Sequence, residues 1–220
     1  MTARDLISDW ITPLNTLDTN TFVLAMMDEY KLTHLPVSEN GIYLGLISES
    51  DILSSNNPVG IVEHFLPDLS GVHVKEDQHM FEAISTMAAN QLTLLPVTDQ
   101  TGHYIGSITS ANMLRHLSEI FAVDNPGAVV ILDVSEKDYL LTEIAQIVES
   151  NECKVLSMYI RTSPDSNRLE ITLKLNRLDI APVLQTFYRY NYNVKATYTE
   201  NSNQDDLMDR FNSLLKYLNV

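Results

Sequence analysis

The phrase "LTHLPV" at Leu32–Val37 returns as "LTLLPV" at Leu92–Val97. The likeness runs on past both copies. "SENGIYLGLISESDIL" follows the first and "TDQTGHYIGSITSANML" the second, with one extra residue in the second loop. Gly45 then pairs with Gly106, Ser48 with Thr109, Asp51 with Asn112 and Leu53 with Leu114. Upstream, "TFVLAMMDEY" and "FEAISTMAANQ" set Met27 over Met87. Self-similarity of this length marks a duplicated supersecondary unit. A unit this small cannot close a core alone and must pack against its twin.

Each copy reads as the same string of elements. Phe22, Val23, Met26, Met27 and Tyr30 recur at helical spacing from Thr21. "HLPV" and "IYLGLIS" are short apolar runs separated by the turn "SENG", which predicts a hairpin. A helix follows with Ser48 at its N-cap. The second copy predicts a helix from Met80, strands around Leu94–Val97 and in "HYIGSIT", and a helix from Ser110.

A helix, then "LPV", then a hairpin into Gly-x-Ile-Ser/Thr-x-x-Asp/Asn resembles the CBS domain, which usually occurs in tandem as a Bateman module. The resemblance covers roughly Asp5 to Phe121, with copies at about 5–56 and 61–122 in a domain of 1–122. It implies an adenosine-containing ligand (AMP, ATP or S-adenosylmethionine) in the cleft between the copies, and regulation of an attached or partnered activity. By that resemblance the candidate ligand residues are Thr33, His34, Leu35, Ser48 and Asp51 in the first copy. In the second they are Thr93, Leu94, Thr109 and Asn112.

The residue types suit such a ligand. A hydroxyl at Ser48 sits where backbone N–H groups at a helix start favour an anion. A carboxylate at Asp51 can accept from both ribose hydroxyls. The backbone of Thr33 to Leu35 offers polar groups to an adenine edge, whereas Pro36 has no N–H to donate. A second reading stands beside this one: "SESD" is also a capping-box pattern, and a cap explains the same residues without a ligand. Asn112 replaces the commoner acid in the second copy, and an amide accepts less strongly, so the first site is preferred.

Charge narrows the partner class. Residues 1–126 carry four basic side chains, Arg4, Lys31, Lys75 and Arg115, against 16 acids. No basic stripe exists to follow a nucleic-acid backbone, and an anionic membrane surface is disfavoured for the same reason. A bare triphosphate meets like charge here, which favours AMP, an S-adenosylmethionine-like ligand, or ATP with Mg²⁺. His34 and Arg115 are the nearby candidates for phosphate contacts. No required cofactor and no metal site is predicted.

From about Val123 the pattern changes, after the turn signal "DNPG". "AVVILDV" is a β-branched run, and Leu140, Leu141, Ile144, Ile147 and Val148 share a helical face. "KVLSMYIRT" and "RLEITLKLN" flank the loop "SPDSN". "DIAPVLQTFYRYN" is a helix with Pro182 in its first turn, and "YNVKATYT" a last strand. The order βαββαβ is ferredoxin-like. The predicted fold class is therefore α/β and α+β, a CBS pair followed by a ferredoxin-like domain at 123–200. After a CBS pair this order resembles an ACT domain, and the layout is similar to some acetoin-utilisation accessory proteins. ACT domains often bind amino acids through a Pro-Gly turn after the first strand. Here that turn is "SEKDY", which favours sheet-edge dimerisation over amino-acid binding.

In the tail 201–220, Leu207, Met208, Phe211, Leu214, Leu215 and Leu218 form one helical stripe. It suits packing on its own domain or in a partner's groove. Nothing resembles a phosphate-gripping Gly-rich loop, a His-Glu-x-x-His motif or a nucleophile elbow, so an enzyme is not predicted. "MTARDLISDW" has no apolar leader, no apolar run is long enough to span a membrane, and the single Cys153 suits a reducing compartment. These features predict a cytoplasmic location. Two functions from different classes remain: a ligand-gated regulator working through a homodimer or an unknown partner, and a ligand-free interaction scaffold. Amino-acid sensing by the ACT-like domain is a further alternative.

Overall fold

The computed structural model describes residues 1–8, 11–55, 57, 59–162 and 167–199. The expected C-terminal helix at 201–220 and most of the expected "SPDSN" loop lie outside the described residues. The chain divides into two units, Met1–His116 and Leu117–Val220.

In the first unit each copy is a helix, a hairpin and a second helix. Helix α1 (Asn20–Tyr30) is capped by Thr19, whose hydroxyl accepts from the Phe22 N–H, and it buries Val23, Met26 and Met27. It ends at Lys31 in the left-handed region, φ 55°. Strands β1 (His34–Glu39) and β2 (Ile42–Ser48) pair antiparallel. Their turn is Asn40-Gly41 with φ of 51° and 83°, the sequence a tight hairpin turn prefers because both residues tolerate positive φ. Helix α2 (Glu49–Ser54) follows. The second copy adds a short strand, β3 (Val74–Lys75), then α3 (Met80–Ala89), β4 (Leu94–Thr98), β5 (Tyr104–Thr109) and α4 (Ser110–Ile120), whose residues from Leu117 on are counted with the second unit. In its longer loop the Asp99 carboxylate accepts from the Thr101 and His103 N–H groups, each at 2.8 Å.

The duplication is visible in the ladders. Val37 faces Gly45 and Val97 faces Gly106, with a register shift immediately after Val37 and after Val97. The copies are joined by crossing segments. Ser8 bridges to Ser107 of the second hairpin, and Leu14 then runs parallel to Val37 of the first. Likewise Ser70 bridges to Leu46 of the first hairpin, and Val74 then runs parallel to Val97 of the second. Each crossing lies over a glycine. A Cβ on Gly45 meets the Leu69 Cβ at 2.6 Å, and one on Gly106 meets the Ile7 Cγ2 at 2.3 Å. Two tyrosines in matching places secure the crossings. Tyr43 donates to the Val72 carbonyl at 2.8 Å and Tyr104 to the Ile11 carbonyl at 3.2 Å. Burial pushes the Tyr104 phenol up to about 12 and raises that of Tyr43 as well.

The second unit is β6 (Val129–Ser135), α5 (Leu141–Ser150), β7 (Val155–Thr162), β8 (Arg168–Leu175), α6 (Ala181–Arg189) and β9 (Asn193–Tyr198). The sheet order is β7-β8-β6-β9 with every pairing antiparallel, which is the ferredoxin-like arrangement. Leu169, Ile171, Leu173 and Leu175 point to one face, as their alternation predicts. There they pack with Ile144, Ile147, Val148, Val183 and the fully buried Phe187. Cys153 joins this core with 1% exposure. One expectation is corrected. Leu140 and Leu141 do not share the buried face of α5; they are 54% and 49% exposed. The Ser135 hydroxyl accepts from the Asp138 N–H and winds Glu136–Asp138 into a 3-10 turn, so α5 starts later than the apolar spacing suggests.

Candidate functional site

The first-copy site is built where β2 ends. Ser48 adopts extended backbone and its hydroxyl accepts from the Asp51 N–H at 3.2 Å. The Asp51 Oδ2 accepts in return from the Ser48 N–H at 2.9 Å and its hydroxyl at 2.6 Å. The capping box is therefore formed. Both reciprocal bonds fall on Oδ2, and among the described residues no hydrogen bond reaches Oδ1. Asp51 is exposed, so that oxygen is open to a ligand's donors.

Helix α2 has six residues, so its dipole is short. Two of its first amides are already used: Glu49 N–H donates to the Thr33 carbonyl at 2.9 Å, and Asp51 N–H to Ser48. This weakens the expected phosphate cradle and leaves the open carboxylate oxygen as the stronger feature.

His34 lies opposite Ser48 in the β1–β2 register. Its Nδ1 is 3.0 Å from the Thr33 Oγ1 and 3.4 Å from the Thr93 Oγ1. The Thr33 N–H donates to the Thr93 Oγ1 at 3.0 Å. Thr33, His34 and Thr93 thus meet where the two copies join, in one neighbourhood with Ser48 and Asp51. Both backbone groups of Thr33 are engaged within the protein, so it offers a hydroxyl rather than an amide. Leu35 and Leu94 have 0% exposure; their side chains belong to the core.

Burial holds the His34 imidazole below its usual range, partly opposed by the nearby Asp51 carboxylate. The unfolded chain therefore takes up a proton at His34 at a higher pH than the folded one. Stability tied to this residue is present above the ordinary histidine pKa of about 6.5 and is lost as pH falls through the lower folded value. Urea midpoints from pH 7.5 to 5 should show a steeper acid-side decline in the native chain than in His34→Leu, which copies Leu94. Parallel curves would refute this.

The second copy is arranged differently. Thr109, 3% exposed, caps α4 by accepting from the Asn112 N–H at 3.1 Å. The Asn112 Nδ2 donates to the Leu6 carbonyl at 2.7 Å, and its Oδ1 accepts from Arg115 Nη2 at 2.6 Å and Nε at 3.2 Å. Arg115, a candidate phosphate contact by sequence, thus bonds Asn112. Leu6 was not singled out in the sequence, because a backbone carbonyl leaves no trace in residue type.

A feature the sequence did not indicate lies in the second unit. A cavity of about 540 Å³ is lined by residues including Asp138, Glu143, Arg168, Tyr190 and Tyr192. Tyr192 donates to Glu143 Oε2 at 2.7 Å, and Arg168 Nε to Asp133 Oδ1 at 2.7 Å. Burial, Glu143 and Asp138 together raise the Tyr192 phenol pKa, so it stays a donor at neutral pH. Among the described residues no group of three or more His, Cys, Asp or Glu is placed to hold a metal, and no helix is long and apolar enough to cross a membrane.

A duplicated hairpin-and-helix unit with hydroxyl and carboxyl or amide groups at each helix start defines the class of protein. The family model for the CBS domain matches residues 18–57 and 68–119, so the chain carries a CBS-domain pair. Among solved structures it is similar to a CBS domain pair/ACT domain protein from Thermotoga maritima, with 20% identity over 54% of this chain and 98% of that one, TM-score 0.49. It is also similar to CBSX2 in complex with AMP, with 23% identity over 54% and 97%, TM-score 0.48. A third is a putative acetoin utilization protein (AcuB) from Vibrio cholerae, with 17% identity over 56% and 95%, TM-score 0.48.

Proposed function

We propose that the CBS pair is a regulatory sensor for a nucleoside-centred ligand, held at the first copy by Asp51 and Ser48 with Thr33, His34 and Thr93 around it. The observation that carries this reading is the exposed Asp51 carboxylate, anchored through Oδ2 and open at Oδ1, beside three polar side chains gathered from both copies. A carboxylate fixed in this way accepts vicinal hydroxyls without first paying to order itself. The acidic surroundings and the spent helix amides favour AMP or S-adenosylmethionine over bare ATP, with Mg²⁺-ATP the form in which a triphosphate is tolerated. Calorimetry on the full chain with AMP, Mg²⁺-ATP and S-adenosylmethionine should give saturable heat with at least one. No heat and no thermal shift with any of them would favour the scaffold, with "SESD" acting as a cap alone.

The sensor works through a homodimer or an unidentified partner in a cytoplasmic setting, without chemistry of its own. Among the described residues β7 pairs only with β8, and it exposes Val155, Tyr159 and Ile160 at 38–45%. Among the described residues this eight-residue strand pairs on one side alone, and such an edge suits pairing with a second copy. Mass in solution should be that of a dimer at micromolar concentration, and a strict monomer would refute it.

One observation favours a second ligand. The cavity in the ferredoxin-like unit sets Asp138 and Glu143 near Lys137 and Arg168, so acidic and basic groups stand together as a small zwitterion requires. This supports amino-acid sensing by an ACT-like domain, despite the absence of glycine from "SEKDY".

A further inference from the structure

Matching positions in the two copies are closed differently, and the difference is chemical. Ile7 lies over Gly106 as Leu69 lies over Gly45, and Ser8 bridges to Ser107 as Ser70 bridges to Leu46. Leu6 therefore corresponds to Asp68, the residue before Leu69. At the second copy the Asn112 amide donates to the Leu6 carbonyl at 2.7 Å. Asp51 stands at the matching place in the first copy, and a carboxylate has no proton to give to a carbonyl. Asn112 is occupied on its other side as well, since Oδ1 takes two bonds from Arg115. Both polar atoms of its side chain are thus satisfied inside the protein, and Asn112 is half-buried where Asp51 is exposed.

We propose that Asn112 is a latch that ties the N-terminal segment over the second copy, so that the pair takes one nucleoside per chain, at the first copy. The choice of Asn over Asp at one position then sets the stoichiometry. A ribose could enter the second copy only by breaking the bond to Leu6 and displacing Arg115. The N-terminal segment is held beside it by Ser8 N–H donating to the Ser107 carbonyl at 2.8 Å and by Ile7 against Gly106. Asn112→Asp removes the donor to Leu6, sets a carboxylate against its carbonyl, and restores the acceptor present at Asp51.

The stoichiometric part rests on the nucleoside reading above, so the test has a ligand arm and a ligand-free arm. In calorimetry of the full chain with AMP and with S-adenosylmethionine, the native protein should bind one equivalent, Asp51→Ala should bind it roughly tenfold to a hundredfold more weakly, and Asn112→Asp should bind two. Two equivalents in the native chain would overturn the latch while leaving the nucleoside reading intact. So would one equivalent bound at native affinity in Asp51→Ala, or one equivalent in Asn112→Asp. If no heat appears in any variant, the nucleoside reading fails and the latch is decided without ligand. Amide hydrogen exchange at Ser8 should then be about tenfold faster in Asn112→Asp, the effect of losing one restraining hydrogen bond. Unchanged exchange at Ser8 overturns the latch.

Discussion

Gly127→Ala should unfold the second unit at room temperature, or cost it at least about 3 kcal/mol. A Cβ at Gly127 falls 1.8 Å from the Leu175 carbonyl oxygen and 3.0 Å from its carbonyl carbon. No rotamer relieves this, because the obstacle is backbone, and φ is +158°. Nor can that backbone retreat. Leu175 N–H donates to the Ala128 carbonyl at 2.8 Å, and Ala128 N–H donates to the Arg177 carbonyl at 2.9 Å. Relief therefore means pulling β6 from β8, whose register runs from Val129–Lys174 to Ser135–Arg168. Those central strands carry Val130, Leu132, Ile171 and Leu173, all without exposure. Gly71→Ala is the control, since nothing lies within 4 Å of its added Cβ; it should shift stability by no more than about 0.5 kcal/mol. Urea unfolding followed by amide exchange in β6 and β8 separates the two variants. Equal protection in Gly127→Ala and the native chain would defeat the argument.

The part of the fold legible in the sequence is the part coded by short-range pattern. The doubled "LPV" and the paired Gly45 and Gly106 predicted two hairpins, and the two register shifts fall after matching valines. Alternation of Leu169, Ile171, Leu173 and Leu175 placed β8 correctly because a strand has period two. Features that depend on single long-range contacts carry no such pattern. The bridges at Ser8 and Ser70 involve one residue pair each, so they leave no periodic signal. Leu140 and Leu141 fitted the helical spacing of α5 but fall before or at its start, where the Ser135 cap sets the chain's direction.

The candidate site shows the same division. Residue types at Ser48 and Asp51 suggested both a cap and a ligand contact, and the cap is formed. They did not reveal that the two second-copy polar atoms of Asn112 are consumed by Leu6 and Arg115. Nor did they reveal that Thr33 and Thr93 meet across the copies. The cavity around Tyr192 and Glu143 joins residues 49 positions apart, beyond the reach of any local pattern.

Asp51→Ala should weaken AMP or S-adenosylmethionine binding by roughly tenfold to a hundredfold, since a hydrogen bond to a charged group contributes about 1.5–3 kcal/mol. The same change removes the Ser48 capping box, at a cost of about 0.5–2 kcal/mol to α2. Lost affinity could then arise from a frayed helix rather than a missing contact, and Asp51→Asn separates the two causes. An asparagine side chain keeps an oxygen to accept from the Ser48 N–H, so the cap survives. It loses the charge, and it can no longer offer a second oxygen to a ribose. If Asp51 holds ligand, Asp51→Asn should melt within about 0.5 kcal/mol of the native chain and still lose about tenfold or more in affinity by calorimetry. If Asp51 is a cap alone, Asp51→Asn should bind as the native chain does, and any loss in Asp51→Ala should track its melting point. The capping geometry at Ser48 is the same under both accounts, so affinity measured at equal stability decides between them.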